Sequence, residues 1–214
     1  MSVEDDKRLA GEAAAGLVED GTAVGLGTGT TVAHFLRALA ARELRLRCVA
    51  TSLQTETLAR ELGLSVQPFD ELERLDLAVD GADQVAPDGW LVKGGGAAHT
   101  REKVVAAAAD RFVVIVSADK LVEALGPPIP VEILAYGSAA TLARLGPAEL
   151  RGVPPSPDGG LIADYLGPVG DPAELATRLS ATPGLVEHGL FPPELVAEVL
   201  VGRGDGVERL DLAR

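Results

Sequence analysis

The sequence has 214 residues and a formal net charge of −13 at pH 7; 47% of its residues are hydrophobic but only 3% are aromatic. This length allows one large domain or a large and a small one, with an aliphatic core. The acidic balance argues against nucleic-acid binding, which needs a basic surface, but a few local cations can still hold a small anion. No apolar run predicts a membrane span and no basic, apolar leader is visible, so we predict a cytoplasmic protein. The single cysteine, Cys48, is predicted to be a buried thiol because it lies in the apolar run LRCVA.

The first part of the chain alternates helical and strand patterns, which predicts βαβ units and a parallel sheet. Helical spacing predicts helices at 3–19, 28–44, 53–63 and 97–111. Apolar runs predict strands at 22–27, 46–50, 64–69, 75–80 and 112–118.

The prolines of GPPIPVEIL, residues 126–134, interrupt this rhythm and predict a domain boundary. Beyond them, the pattern predicts a small α+β unit with strands at 131–135, 161–166 and 184–191 and helices at 138–145 and 172–180. The tail alternates apolar residues around a GDG turn, which predicts a terminal hairpin. We therefore expect one domain at 1–127 and 200–214 and a second at 128–199.

Polar clusters follow several of these strands, and the carboxyl ends of parallel strands are where open sheets bind ligands. The clusters are GTGTT, TSLQTE, DGAD, KGGG and SADK. The stretch GLGTGTT, residues 25–31, lacks the lysine of a P-loop, and Thr30 replaces the third glycine of a dinucleotide motif. It favours one phosphate held by helix N–H groups and threonine hydroxyls, the alternative being an ordinary glycine turn with a threonine cap.

The stretch DGAD places Asp80 and Asp83 three residues apart, where they could bind a metal or a polyol, transfer protons, or merely form an Asx turn. No histidine has a zinc-ligand spacing, so we predict no metal site. In KGGGAAHTREK, Lys93 precedes three glycines and Glu102 lies about one turn into a helix. A base beside a cation and backbone donors suits proton abstraction next to a carbonyl. Alternatively, Glu102 belongs to a surface ion pair or is a favourable acid near the start of a helix.

With these stretches in place, the chain closely resembles ribose-5-phosphate isomerases of the A type. The resemblance runs nearly end to end and is carried by GLGTGTTVAHF, DGADQV, KGGGAAHTREK, ADK and GLVEHGLF. It implies a Rossmann-like α/β domain with an open parallel sheet, and a smaller α+β, ferredoxin-like domain inserted before the C-terminal hairpin. It also implies interconversion of ribose 5-phosphate and ribulose 5-phosphate through an enediolate, without metal or cofactor, in a homodimer or homotetramer.

Carried over residue by residue, the resemblance makes Glu102 the base that moves the proton between C1 and C2. It implies that Lys93, Asp80 and Asp83 bind substrate oxygens, assist ring opening and stabilise the enediolate. The other implied substrate contacts are Thr28, Gly29, Thr30 and Thr31 at the phosphate, with help from Lys120 and Lys7. Gly81 and Ala82 are implied to bind the substrate as well, and Gly94, Gly95 and Gly96 to supply backbone contacts. Thr30 stands where many members have serine, which keeps the hydroxyl.

Two other functions fit parts of the same pattern. A glucosamine-6-phosphate deaminase-like enzyme also has a glycine-threonine phosphate loop and an acidic pair, but the KGGG and TRE stretch argues against it. A non-catalytic sugar-phosphate sensor of the DeoR type would be joined to a DNA-binding module, and no helix-turn-helix pattern precedes Thr22.

Overall fold

The computed structural model describes residues 2–211, which form alternating helices and short strands. The helices are α1 (Val3–Ala15), α2 (Thr30–Ala40), α3 (Leu53–Glu61), α4 (His99–Ala107), α5 (Ser138–Leu145) and α6 (Pro172–Ser180). The strands are β1 (Ala23–Leu26), β2 (Arg47–Ala50), β3 (Leu77–Asp80), β4 (Gln84–Val85), β5 (Leu91–Val92), β6 (Phe112–Ser117), β7 (Ile129–Ile133), β8 (Ala148–Leu150), β9 (Leu161–Tyr165), β10 (Leu185–His188), β11 (Leu190–Phe191), β12 (Glu198–Arg203) and β13 (Gly206–Asp211). No helix among the described residues combines the length and the apolar character needed to cross a membrane.

The chain divides into two compact units. The first takes the described residues of 1–82, 101–120 and 194–214, and the second takes 83–100 and 121–193. The predicted domain limits, 1–127 with 200–214 and 128–199, remain a prediction. The compact units place 83–100 and 121–127 in the second unit because β5 pairs with β11 and Val85 bridges to Leu121.

A six-stranded sheet forms the first unit, in the order β13-β12-β6-β3-β1-β2. All neighbouring strands are parallel except the hairpin pair β12 and β13. Every residue of β1, β3 and β6 is buried, which is typical of parallel strands covered on both faces. The largest buried side chains of α2, Phe35, Leu36 and Leu39, belong to the core that covers this sheet.

A four-stranded antiparallel sheet forms most of the second unit, in the order β10-β7-β9-β8. The chain order β7-α5-β8-β9-α6-β10 is the ferredoxin-like βαββαβ pattern. Leu145 from α5 and Leu175 and Leu179 from α6 are buried with Ile129 and Val131 of β7. A second, three-stranded sheet has the order β11-β5-β4. The predicted Rossmann-like α/β fold with a smaller ferredoxin-like part is thus confirmed.

Several local predictions differ from the structure in instructive ways. Residues 64–69 were predicted as a strand but contribute only one bridge, between Val66 and Cys48. The predicted strand 184–191 is two strands in different sheets, separated at Gly189, where a Cβ would overlap the backbone carbonyl of Lys93. The strands β4, β5 and β8 were missed because two or three residues are too few to show a period of two.

Candidate active site

The loop between β1 and α2 gives the first unit a helix N-terminus at the carboxyl end of its sheet. The residue before the helix, Gly29, has a φ of 121°, a conformation that side chains disfavour. No side chain caps α2. Because α2 follows β1 after only three residues, its first N–H groups lie at this sheet end, where they can hold one phosphate.

Threonine hydroxyls from the neighbouring strand end support this loop. The hydroxyl of Thr28 is 2.8 Å from that of Thr51, and Thr55 donates to the backbone carbonyl of Gly27 at 2.7 Å. Thr51 and Thr55 are both buried and follow β2, the neighbour of β1 in the sheet. The sequence indicates them only as members of the polar cluster TSLQTE, which follows a predicted strand, and assigns them no individual role.

Asp80 ends β3 and holds the same loop from its other side. Its Oδ1 accepts hydrogen bonds from the backbone N–H of Thr28 at 2.9 Å and of Gly81 at 2.7 Å. A Cβ at Gly27 would overlap the Asp80 carboxyl group, so the close approach requires glycine there. The buried carboxylate is therefore fixed in one orientation by the chain around it.

Asp83 performs a similar role in the second unit. Its Oδ2 accepts the backbone N–H of Gly95 at 2.7 Å, and its own N–H donates to the carbonyl of Val92. A Cβ at Gly95 would lie 2.6 Å from Asp83 Oδ1, closer than side-chain atoms normally approach. The glycine is thus needed for the carboxylate to reach the loop.

Lys93 directly follows β5, and only 2% of it is exposed. Its ammonium lies 5.4 Å from the ring centroid of Phe191 on β11, a cation–π contact that helps to hold a buried cation. Its backbone N–H donates to the carbonyl of Gly189. The lysine predicted to meet the substrate is therefore a buried, positioned cation rather than a solvated one.

The three glycines after Lys93 form a tight turn into α4. Gly94 has a φ of 102°, and its carbonyl accepts the N–H of Ala97 at 2.9 Å. A Cβ at Gly94 would lie 2.7 Å from the ring of His99, which is fully buried. The packing against His99 thus requires glycine at position 94, as the approach of Asp83 does at position 95.

Glu102 lies in the first turn of α4 and is 4% exposed. This burial contradicts the alternative that it forms a surface ion pair. Two residues earlier, the Thr100 hydroxyl donates to the carboxylate of Glu132 in β7, which also accepts the Ser156 hydroxyl at 2.5 Å. In the first unit, a Cβ at Gly25 of β1 would overlap Val105, so α4 packs closely on that strand.

Lys7 and Lys120 lie against carboxylates. The ammonium of Lys7 is 3.5 Å from Glu4 on the same helix, and Glu4 also bonds the His34 ring at 2.7 Å. The hydrogen bond from His34 and the charge of Lys7 lower the pKa of Glu4. Lys120 is 3.8 Å from Asp119. The phosphate roles predicted for both lysines stay predictions.

Within 2–211, no three side chains of histidine, cysteine, aspartate or glutamate are grouped so that they could hold a metal ion. The first unit brings Thr28 and Asp80 together, and the second brings Asp83 and Gly95 together. The catalytic and binding roles of these residues, and the absence of a metal or cofactor requirement, stay predictions.

Known proteins resemble this chain over nearly its whole length. Residues 47–206 match the family described as Ribose 5-phosphate isomerase A (phosphoriboisomerase A). A protein named Ribose-5-phosphate isomerase A from Caulobacter sp. (strain K31) is 46% identical over 225 residues, covering 98% of this chain and 99% of its own length.

Solved structures agree with that match. Ribose 5-phosphate isomerase A from Methanocaldococcus jannaschii has a TM-score of 0.92 and 36% identity, covering 98% of this chain and 100% of that one. A D-ribose-5-phosphate isomerase in complex with phospho-erythronic acid has a TM-score of 0.93 and 35% identity, covering 99% and 100%. The likeness therefore extends well beyond the glycine loops.

Proposed function

The chain belongs to the ribose 5-phosphate isomerase A family, and from this premise we propose that Glu102 is the base of its reaction. The protein is an aldose-ketose isomerase that interconverts D-ribose 5-phosphate and D-ribulose 5-phosphate. The deaminase and sensor alternatives are not favoured, since the relatives matched over nearly their full length are named as isomerases.

The observation that carries the assignment is the burial of Glu102 in the first turn of α4, a few residues after the glycine run. In the open-chain aldose, the carboxylate takes the proton from C2, and the electron pair of that bond forms a C1–C2 double bond as O1 becomes negative. The same proton is then returned to C1, while the hydroxyl proton on O2 moves to O1. This exchange needs no metal, cofactor or redox partner.

Lys93 is the cation that stabilises the negative charge as it develops on the enediolate. A buried ammonium acts strongly on a nearby anion because little water screens it. Asp80 and Asp83, each fixed by hydrogen bonds to the backbone, orient the sugar hydroxyls and assist ring opening. The backbone of Gly94, Gly95 and Gly96 contacts the substrate.

The phosphate is held by the loop of residues 28–31 and the N-terminus of α2, with Lys7 and Lys120 adding charge, and Gly81 and Ala82 are further substrate contacts. Uncapped N–H groups at the helix start and adjacent hydroxyls support this assignment. The cytoplasmic location and the homodimeric or homotetrameric assembly are also proposals, and sedimentation of the purified protein would test the assembly.

The test compares the parent with Glu102→Gln in an assay that follows ribulose 5-phosphate formed from ribose 5-phosphate. We expect kcat to fall by about 10²–10⁴-fold, while the dissociation constant for ribose 5-phosphate changes little. Glu174→Gln, in the exposed first turn of α6, is the matched control and should keep the parent rate. Full activity of Glu102→Gln would assign the base elsewhere.

A second part of this experiment tests whether the reaction needs a metal ion. A chelator should leave the parent rate unchanged, and activity lost to the chelator and restored by an added divalent metal would contradict the metal-free mechanism.

In deuterated water, partial exchange of the transferred hydrogen is expected because one carboxylate holds the proton between the two carbons.

A further inference from the structure

Arg151 connects the small sheet of the second unit to the glycine run. It directly follows β8, and its Nε and Nη2 donate to the two carboxylate oxygens of Asp164 in β9 at 2.7 and 2.6 Å. Its remaining terminal nitrogen, Nη1, donates to the backbone carbonyls of Gly94 at 2.8 Å and Gly95 at 3.2 Å. Only 16% of either charged side chain is exposed. One guanidinium thus bonds a carboxylate on one side and two consecutive peptides on the other.

These two carbonyl contacts help to fix where the neighbouring N–H groups point, together with the Ala97 N–H, which the Gly94 carbonyl also accepts. The peptides 94–95 and 95–96 are trans, and in a planar trans peptide the C=O and N–H bonds point in opposite directions. Holding the Gly94 carbonyl therefore directs the Gly95 N–H away from Arg151, and this N–H meets Asp83 Oδ2 at 2.7 Å. Holding the Gly95 carbonyl directs the Gly96 N–H in the same manner.

We propose that Arg151 is a positioning residue for the isomerase reaction, which it serves by aiming the N–H groups of Gly95 and Gly96. The inference rests on the proposed function, in which Asp83 and the backbone of the glycine run contact the substrate. The first N–H holds Asp83 in place, and the second donates to the oxygen that becomes negative in the enediolate. Arg151 itself does not touch the substrate.

The chemistry of arginine suits this role better than that of lysine. Its planar fork can bond a carboxylate in two places and still present donors to the backbone, whereas an ammonium is a point charge with no fixed fork. A cation at the carbonyl end of a peptide also polarises it, which makes its N–H a stronger donor toward an oxyanion. Asp164 lies in β9, between two hydrogen-bonded neighbouring strands, and fixes the guanidinium from behind.

The test uses the full-length protein with Arg151→Met, which removes the guanidinium but keeps an apolar stem. We expect kcat to fall by roughly 10-fold to 100-fold because the donors are misaligned, while KM for ribose 5-phosphate changes little. The inhibition constant of phospho-erythronic acid, whose carboxylate resembles the enediolate oxygens, should rise in parallel with the loss of kcat. Arg178→Met is the control, since that guanidinium lies over the Tyr165 ring in the same unit and should affect neither constant.

A purely structural role predicts a different pattern: a lower melting temperature, with kcat and the inhibition constant unchanged in the folded protein. That pattern, or a KM that rises as much as kcat falls, would overturn the proposal. In spectra of protein labelled with ¹⁵N-glycine, the amide signals of Gly95 and Gly96 should shift in Arg151→Met but not in Arg178→Met.

If Arg151→Met does not fold, Arg151→Lys provides the test, because it keeps the positive charge but loses the planar guanidinium group. It should show an intermediate loss of kcat with an unchanged KM, and parent kinetics would reject the inference. The two proposals fail separately. An inactive Glu102→Gln beside a fully active Arg151→Met removes only the positioning role, whereas an active Glu102→Gln removes the proposed base.

Discussion

The backbone N–H of Thr28 donates a 2.9 Å hydrogen bond to the carboxylate of Asp80, 52 residues later in the chain. This bond joins the loop after β1 to the end of β3, the strand beside it. A residue proposed to bind the sugar thus also shapes the loop proposed to bind the phosphate. Substitution of Asp80 would disturb both, so the loop has to be tested through other residues.

Gly27→Ala tests the contact between the loop and Asp80 without changing a polar group. The added methyl would overlap the Asp80 carboxyl group, so the carboxylate or the loop must move. We expect kcat/KM to fall by about 10-fold or more and the melting temperature to drop. Gly206→Ala is the control, because its Cβ would meet no atom within 4 Å. Equal kinetics in the two variants would show that the close contact does not matter for the reaction.

The double variant Thr30→Ala with Thr31→Ala tests phosphate binding at the start of α2. Both hydroxyls would be lost while the helix N–H groups remain. Since the phosphate is bound alike before and during proton transfer, KM should rise on the order of 10-fold and kcat should change less. Thr177→Ala serves as control, because its hydroxyl donates to the carbonyl of Ala173 in its own helix. An unchanged KM in the double variant would show that the phosphate binds elsewhere.

The elements that the sequence predicted well are those with a long and regular pattern. The run of five apolar residues in β6 could be recognised alone, and α6 was predicted with its observed limits, Pro172–Ser180. Asp171 caps this helix through two backbone N–H groups. Where local preference and tertiary packing agree in this way, the sequence alone is sufficient to predict the helix or strand.

The parts of the site that the sequence did not predict depend on contacts between distant residues. Arg151 bonds Gly94 across 57 positions and lies beside a three-residue strand that has no detectable period. Glu132 is a carboxylate inside an apolar strand, and its partners Thr100 and Ser156 come from two other segments. Contacts of this kind depend on the order of the strands in the sheet, and a local sequence pattern does not show that order.

Cys48 provides a prediction about pH, because burial raises the pKa of its thiol from 9.0 to about 12. Between these values the unfolded chain releases the thiol proton while the folded protein keeps it, so the fold loses stability as the pH rises. Within that range, this thiol lowers the free energy of unfolding by about 1.4 kcal/mol per pH unit.

Cys48→Ala isolates this contribution, since other groups titrate equally in both proteins. The variant should be less stable than the parent by a constant amount below about pH 9, because a small cavity replaces the sulfur. Above that pH, the difference in the free energy of unfolding should shrink steadily as the parent alone loses the thiol contribution. Urea unfolding of both proteins across this pH range measures this difference in the free energy of unfolding. If the difference stays constant, the folded thiol titrates as it does in the unfolded chain.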